Sequence, residues 1–396
     1  MKLKICFVLL RAYAVFRPEM NKEFGGAEVQ CYLLTKELAE KKDLQVTCIA
    51  KDYRQNDIDE IEKVIHYKIK QPKGGIVKFK FLKNFFSAFS LYQTLKKIDA
   101  DIYVQICFGA ETGITALFCK RHNKKFIFMA ASDNDTDGSL EKSSSCIIAF
   151  LYRYGIKNTS KVITQNFYQQ KTLSERFSRQ SQIITSLCHV PDAYVPPVGE
   201  RILWVARLVE LKQPEKFLEM AQSFPDLKFL MIAGQGTDEK YFWQICKDGE
   251  KISNLEMVPK VSPHEVEKYF AHSKLLINTS VYEGFPDTFV KAFKFSMPVL
   301  SLNVDPDNIL SNENIGFCAK GDMEELKGHL RFVVSDSELY LKMSKNAYEY
   351  VKKNHDVGVI ISKYEEIFTS LFEDNERSAS SVKKDLLKPQ SSPSRN

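Results

Sequence analysis

The sequence predicts an α/β protein built as two doubly wound halves facing a cleft. Three observations carry this. Short apolar runs alternate with amphipathic helical stretches through most of the chain. A proline-rich stretch, "HVPDAYVPPVGE" at 189–200, interrupts the alternation near the middle, and the alternation then restarts. At roughly 150 residues per domain, 396 residues suit two domains.

The elements follow in order. "ICFVLL" reads as a buried strand, "GAEVQCYLLTKELAEKK" as a helix and "LQVTCIA" as a strand. "IVKFKFLKNFFSAFSLYQTLKKI" puts Leu82, Phe85, Phe86, Phe89, Tyr92 and Leu95 on one helical face. That face is expected to pack on the sheet; its basic ends and aromatic content also suit a helix at a membrane interface. "ADIYVQIC", "KKFIFMAA" and "KVITQ" are further strands. Past the linker come strand "RILWVARL", helix "QPEKFLEMAQSF", strands "LKFLMIAG" and "NLEMV", helix "SPHEVEKYFAHS", strand "KLLINTS", helix "PDTFVKAFKFS" and strand "MPVLSL". The domains are therefore set at 1–190, a linker at 191–200, and 201–372, with a last helix free to return to the first half. Residues 373–396 are polar and poor in aromatics, and are expected to be a disordered tail.

Composition narrows the function. A formal net charge of +6 is mild and suits anionic small molecules or an anionic membrane surface. No basic block with interleaved aromatics suggests a nucleic-acid groove. The nine cysteines are scattered, with no CxxC pair, which points to a reducing cytoplasm rather than a disulfide framework or zinc ribbon. Arg11 interrupts the first apolar run, so it reads as a strand rather than a signal peptide. No run reaches the ~18–20 apolar residues of a membrane span.

Three stretches carry candidate chemistry. "EFGGAEVQ" opens a helix with Gly25 and Gly26, which suits an anion at a helix N-terminus or a plain helix start. "WVARLVELKQPEKF" places Arg207 and Lys212 just after the first strand of the second half. Two cations at the mouth of a parallel strand suit a diphosphate, and solvated surface cations are the plainer alternative. "VYEGFPDTFVKAF" puts Glu283 at the carboxyl end of a buried strand, before Pro286 and a helix whose first amides belong to Asp287 and Thr288. Glu283 suits sugar hydroxyls or positive charge on a sugar carbon, or simply a helix-start acid.

"GGAE", "WVARLVELKQPEKFLEMA", "LMIAGQG", "INTSVYEGFPDTFVKAF" and "MPVLS", in this order and spacing, resemble the retaining glycosyltransferases of the GT-B fold, family 4, from residue 1 to about 370. The resemblance implies two Rossmann-like domains and a nucleotide-diphosphate sugar as donor. It also implies a saccharide or lipid-linked acceptor, and work in polysaccharide or glycoconjugate assembly in the cytoplasm or at the inner membrane face. No cofactor and no metal are implied. Arg207 and Lys212 would neutralise the diphosphate, Gly25 and Gly26 would meet it across the cleft, and Glu283 would touch the donor sugar. The amides of Asp287 and Thr288 would cap the diphosphate, and Gly234 would belong to the donor site. The backbone at Met257 and Val258 would face the base.

The chain departs from the family pattern at three places. Lys291 stands where the second acid of Glu-x7-Glu holds ribose in the family; a cation accepts no hydrogen bond, so Lys291 would reach phosphate or lie solvated. Ser296 replaces a glycine. "SDNDTDG" stands where the family often has a histidine, leaving Asp133 or Asp135 for an acceptor-side role. The spacing of Asp133, Asp135, Asp137 and Gly138 also fits half of a calcium loop, but Ser144 occupies the bidentate position, so a polar loop opening a helix is favoured. The alternative overall is a non-catalytic partner or scaffold that keeps a nucleotide pocket; an epimerase or phosphorylase on the same fold ranks below it.

Overall fold

The structure, a computed structural model, describes residues 2–20, 25–70, 80–236, 238–259, 261 and 263–386, with the backbone alone for 80–83, 263–264 and 374–386. The first half holds an eight-stranded sheet made of β1 Leu3–Val8, β2 Leu44–Ala50, β3 Ile58–Ile61, β4 Val64–Lys68, β5 Ile102–Ile106, β6 Lys125–Met129, β7 Lys161–Thr164 and β8 Gln182–Ile183, in the order β3-β4-β2-β1-β5-β6-β7-β8. All its pairs are parallel except β3–β4. That hairpin turns on Glu62 and Lys63, both at positive φ, with no glycine or asparagine to announce it in the sequence.

β1 shows why the strands read as unbroken apolar runs. Ile5 and Phe7 enter one core and Cys6 and Val8 the other, because helices cover both faces. One face carries α1 Gly26–Ala39; the other carries α2 Lys80–Ile98, α3 Ala110–His122 and α4 Cys146–Lys157. α3 and α4 touch backbone to backbone: a Cβ on Gly113 would lie 2.4 Å from the Leu151 carbonyl oxygen. α5 Phe167–Phe177 follows β7.

The orientation of α2 corrects an expectation. Phe85, Phe86 and Phe89 do not pack on the sheet; they are 60%, 45% and 54% exposed. The ridge that meets the sheet is formed by Leu91 and Leu95, which are buried, with Tyr92 and Ile98 at its edge. At 100° per residue Phe85 and Phe89 sit about a third of a turn around the helix from that ridge. The expected Leu82 contact lies outside the described side chains.

The second half holds β9 Arg201–Arg207, β10 Phe229–Gly234, β11 Leu255–Pro259, β12 Ser273–Asn278, β13 Val299–Ser301 and β14 Gly316–Cys318, all parallel, in the order β11-β10-β9-β12-β13-β14. The direction of sheet growth reverses between β9 and β12, which makes the mouth between their carboxyl ends the natural ligand position. α6 Asp287–Lys294 follows β12. The last helix, α7 Val357–Leu386, leaves this half and buries Ile360, Ile361, Tyr364, Ile367, Phe368 and Leu371 in the first-half core. Its backbone continues past residue 373, where a disordered tail is expected, because no proline or glycine interrupts it before Pro389. Residues 387–396, the rest of that tail, lie outside the described residues.

The chain crosses between the halves twice, and the crossings lie side by side. Cys188 N–H donates to the His355 carbonyl at 2.9 Å, and Val357 N–H to the Cys188 carbonyl at 3.0 Å.

Candidate active site

The site grows from the switch point of the second sheet. β12 ends at Asn278, and the polar run after it folds on itself: Ser280 N–H donates to Asn278 Oδ1 at 3.1 Å. Both side chains then hold Glu283. Asn278 Nδ2 donates to Oε1 at 3.0 Å and Ser280 Oγ to the same oxygen at 2.6 Å. The other oxygen, Oε2, lies 2.8 Å from Lys212 Nζ, with the two side chains 19% and 18% exposed. Lys212 is positioned in turn by the turn after β9. Its carbonyl accepts from Thr279 Oγ1 at 2.7 Å, and Thr279 Oγ1 accepts from Trp204 Nε1 at 2.9 Å. The two β-strand mouths are thus stapled together, and Glu283 has a fixed direction before any ligand arrives.

Arg207 ends β9 and is exposed. Gly234, its register partner at the end of β10, would put a Cβ 3.2 Å from Arg207 Cγ, so the glycine keeps room for the guanidinium stem. Val258 and Met257 lie on β11, one strand further from the switch point, and Val258 pairs with Ile232. Asp287 and Thr288 are the first two residues of α6, with amides that no helical carbonyl can reach. Lys291 lies one turn on, half-buried, and its charge opposes the burial that lifts the Asp287 carboxyl to about 6.

The first half contributes from across the cleft. A Cβ on Gly26 would sit 2.3 Å from Asp287 Oδ2, so the glycine leaves room for the Asp287 carboxylate where the first residues of α1 and α6 meet. Gln30 Nε2 donates to Asp287 Oδ1 at 3.1 Å. The Gly25 amide is already used: it donates to Glu28 Oε2 at 2.9 Å, and Glu28 pairs with Arg11 at 2.9 Å. Asp133 Oδ1 accepts from Asn166 Nδ2 at 3.1 Å and from Gln169 Nε2 at 3.0 Å, and burial raises its carboxyl. Asn166 Nδ2 also donates to the Gly284 carbonyl at 3.0 Å, which ties Asp133 to the residue after Glu283. A cavity of about 200 Å³ between the halves is lined by Asp133, Tyr168, Tyr282, Glu283, Asp305 and Asp307 among others.

Asp135 turns away from this cavity. It is 3% exposed and accepts from Phe108, Ala131 and Ser132 amides at 2.8, 2.8 and 2.9 Å, so it braces the loop after β6. The stretch is two helical turns, Asn134–Asp137 and Ser139–Ser143, rather than an open loop. Among the described residues no group of three or more His, Cys, Asp or Glu is arranged to hold a metal.

The structure brings together Glu283 with Lys212, Gly26 with Asp287, and Asp133 with Gly284, whereas Arg207 stands exposed at the end of β9; the side chains that orient the cluster are not among the residues the sequence singles out. Asn278 and Ser280 were legible as polar residues at the end of an apolar strand. Gln30, Asn166 and Gln169 sit on helices far away in sequence and gave no signal.

With this geometry in view, residues 196–350, within the second half, match the family model described as glycosyl transferases group 1. An uncharacterized glycosyltransferase of Haemophilus influenzae is 23% identical over 225 residues, 54% of this chain and 62% of that protein. The alignments with the next two curated relatives span 45% and 44% of their lengths, so less than two thirds of each of these relatives is matched. Sucrose-phosphate synthase of Thermosynechococcus elongatus shares the fold at TM-score 0.74 and 13% identity, over 94% of this chain and all of that one. S. aureus TarM, solved with UDP and α-GlcNAc-glycerol, does so at 0.71 and 12%, over 93% and 100%. The architecture is GT-B: two α/β domains with parallel sheets.

Proposed function

We propose that the protein is a retaining glycosyltransferase. It moves a hexose-type sugar from a nucleoside-diphosphate sugar to a hydroxyl of a saccharide or lipid-linked acceptor, in polysaccharide or glycoconjugate assembly. The observation that carries the reading is the Glu283–Lys212 pair at the switch point, with Arg207 on the same strand mouth and Asp133 facing it. In this reading Arg207 and Lys212 stabilise the departing diphosphate as its bond to the sugar carbon breaks. Glu283 leans toward the sugar ring, and the amides of Asp287 and Thr288 cap the phosphate with Gly26 opposite. The acceptor oxygen bonds the same carbon on the same face, and its proton passes to the departing diphosphate oxygen. Asp133 orients the acceptor hydroxyl. Lys291 adds a second cation where a ribose-binding acid is usual. No metal is needed in this scheme, because protein cations carry the charge neutralisation. The UDP bound in the TarM structure, which shares this fold, supports a nucleotide as ligand.

The test is thermal stabilisation by a panel of nucleoside diphosphates, with Arg207→Ala as control. A ligand at 100 times its Kd adds about 2.7 kcal/mol. Stabilisation by one nucleotide, lost in the variant, supports the reading and names the base. No response to any nucleotide overturns the donor site and favours a non-catalytic partner.

A further inference from the structure

We propose that the face formed by the carboxyl end of β4 and the outer side of α2, from Phe85 to Lys97, docks on an anionic lipid bilayer. Three phenylalanines within two helical turns, Phe85, Phe86 and Phe89, stand roughly half exposed or more. Single exposed apolar side chains are ordinary on a folded surface, but a group of this size marks a contact. Ile58 extends the patch: it is 45% exposed on β3 and pairs with Tyr67 of β4. Between β4 and α2 runs a groove of about 570 Å³ lined by Tyr67, Phe86, Phe89, Lys68, Lys70 and Lys97, among others. Among the described residues Asp57 is the one acid on its wall, and it is held 3.1 Å from Lys68. Lys97 Nζ lies 5.4 Å from the centre of the Tyr67 ring. α2 itself carries four lysines and no acid.

The combination selects the occupant. A small soluble anion would use the lysines and leave the phenylalanines unexplained. A second copy of this chain, docked by a two-fold axis, would set lysines against lysines. A bilayer with anionic headgroups satisfies both features at once: the rings enter the acyl boundary while lysine stems lie along it and their ammonium groups meet phosphates. The face also has a functional direction. β4 runs parallel to β2 and so to β1, which puts Lys68 and Lys70 at the cleft edge of the first sheet. Docking would turn the cleft mouth toward the membrane. Only that last step rests on the proposed activity, because a lipid-linked acceptor presents its hydroxyl there.

The experiment is flotation of the full chain with vesicles of phosphatidylcholine alone or with phosphatidylglycerol added, at low salt and at about 1 M salt, where charges are screened within ~3 Å. Binding to the anionic vesicles at low salt, lost at high salt, is expected. Phe86→Ser with Phe89→Ser, and separately Lys70→Glu with Lys97→Glu, should each weaken it at least about tenfold. Unfolding curves and the nucleotide response should stay those of the parent chain, since neither pair touches the cleft residues. Absent binding at low salt, or binding unchanged in both double variants, overturns the proposal. So does a dimer in solution that the phenylalanine variant dissolves, since a second copy would then cover the face. Vesicle binding without any sugar transfer would leave docking standing and defeat the proposed activity alone.

Discussion

Gln30 joins the two halves at the cleft with both ends of its amide. Its Nε2 donates to Asp287 Oδ1 at 3.1 Å, and its Oε1 accepts from the Leu187 N–H at 2.9 Å. One side chain therefore links the first helix, the strap before the linker and the start of α6, across 257 positions of sequence.

Asp287 sets a pH dependence that runs against the usual carboxylate. Burial holds its carboxyl at about 6, above the ordinary value near 3.9. The folded chain therefore binds this proton more tightly than the unfolded one, and stability from this group falls as pH rises from about 4 to about 6. Asp287→Asn keeps an acceptor for Gln30 and is expected to exceed the parent by roughly 2 kcal/mol at pH 8 and to match it at pH 4. Urea unfolding at both pH values checks this; an equal difference at both would refute it.

His355 acts in the opposite direction. It is fully buried where the two crossings meet, and its Nδ1–H donates to the Ser186 carbonyl at 2.7 Å. Burial holds it at about 4, below the ordinary value near 6.5. Here the unfolded chain takes up the proton first, so stability is full above about pH 6.5 and is lost as pH falls toward 4. His66, buried between Tyr13 and Phe16, is lowered to about 4 in the same way. A melting profile of His355→Gln should show a shallower acid limb than the parent, whatever its absolute Tm.

Ser296 occupies a left-handed backbone position, φ 56°, at the close of α6, and is 2% exposed. A side chain there is strained and glycine is not. Ser296→Gly is expected to raise stability by roughly 0.5–1 kcal/mol, read from the denaturant midpoint. A lower midpoint would show that the serine hydroxyl matters more than the strain.

Removing Lys212 strands a carboxylate that is mostly enclosed. Lys212→Met should lower stability by about 1–3 kcal/mol, and adding Glu283→Gln should recover part of the loss. Additive effects in that double-mutant cycle would mean the 2.8 Å pair is energetically idle. If the proposed activity holds, either single change should also abolish sugar transfer.

The fold was legible because its signals are periodic. β1, β2 and β12 read as unbroken apolar strands since both faces are covered, and the proline-rich stretch at 189–200 marks the change of domain. The β3–β4 hairpin was missed because its turn residues, Glu62 and Lys63, are unusual at positive φ. The outward face of α2 was misassigned because six apolar residues offered two possible ridges, and only the sheet decides between them. At the site, the residues with distinctive types beside strand ends were legible. The amides that hold them were not, since Gln30, Asn166 and Gln169 act through distances that no local pattern encodes.

The return of α7 has a practical corollary. The second lobe is an insertion in the first, entered near Cys188 and left near Asp356. An expression boundary drawn before residue 357 would strip the first lobe of the helix that roofs its core. A fragment cut at residue 200 would carry that helix away with the wrong partner. Conversely, a single protease nick between residues 191 and 200 should leave two pieces that co-purify, held together by α7, by the Cys188 pairing and by the hydrogen bonds across the cleft.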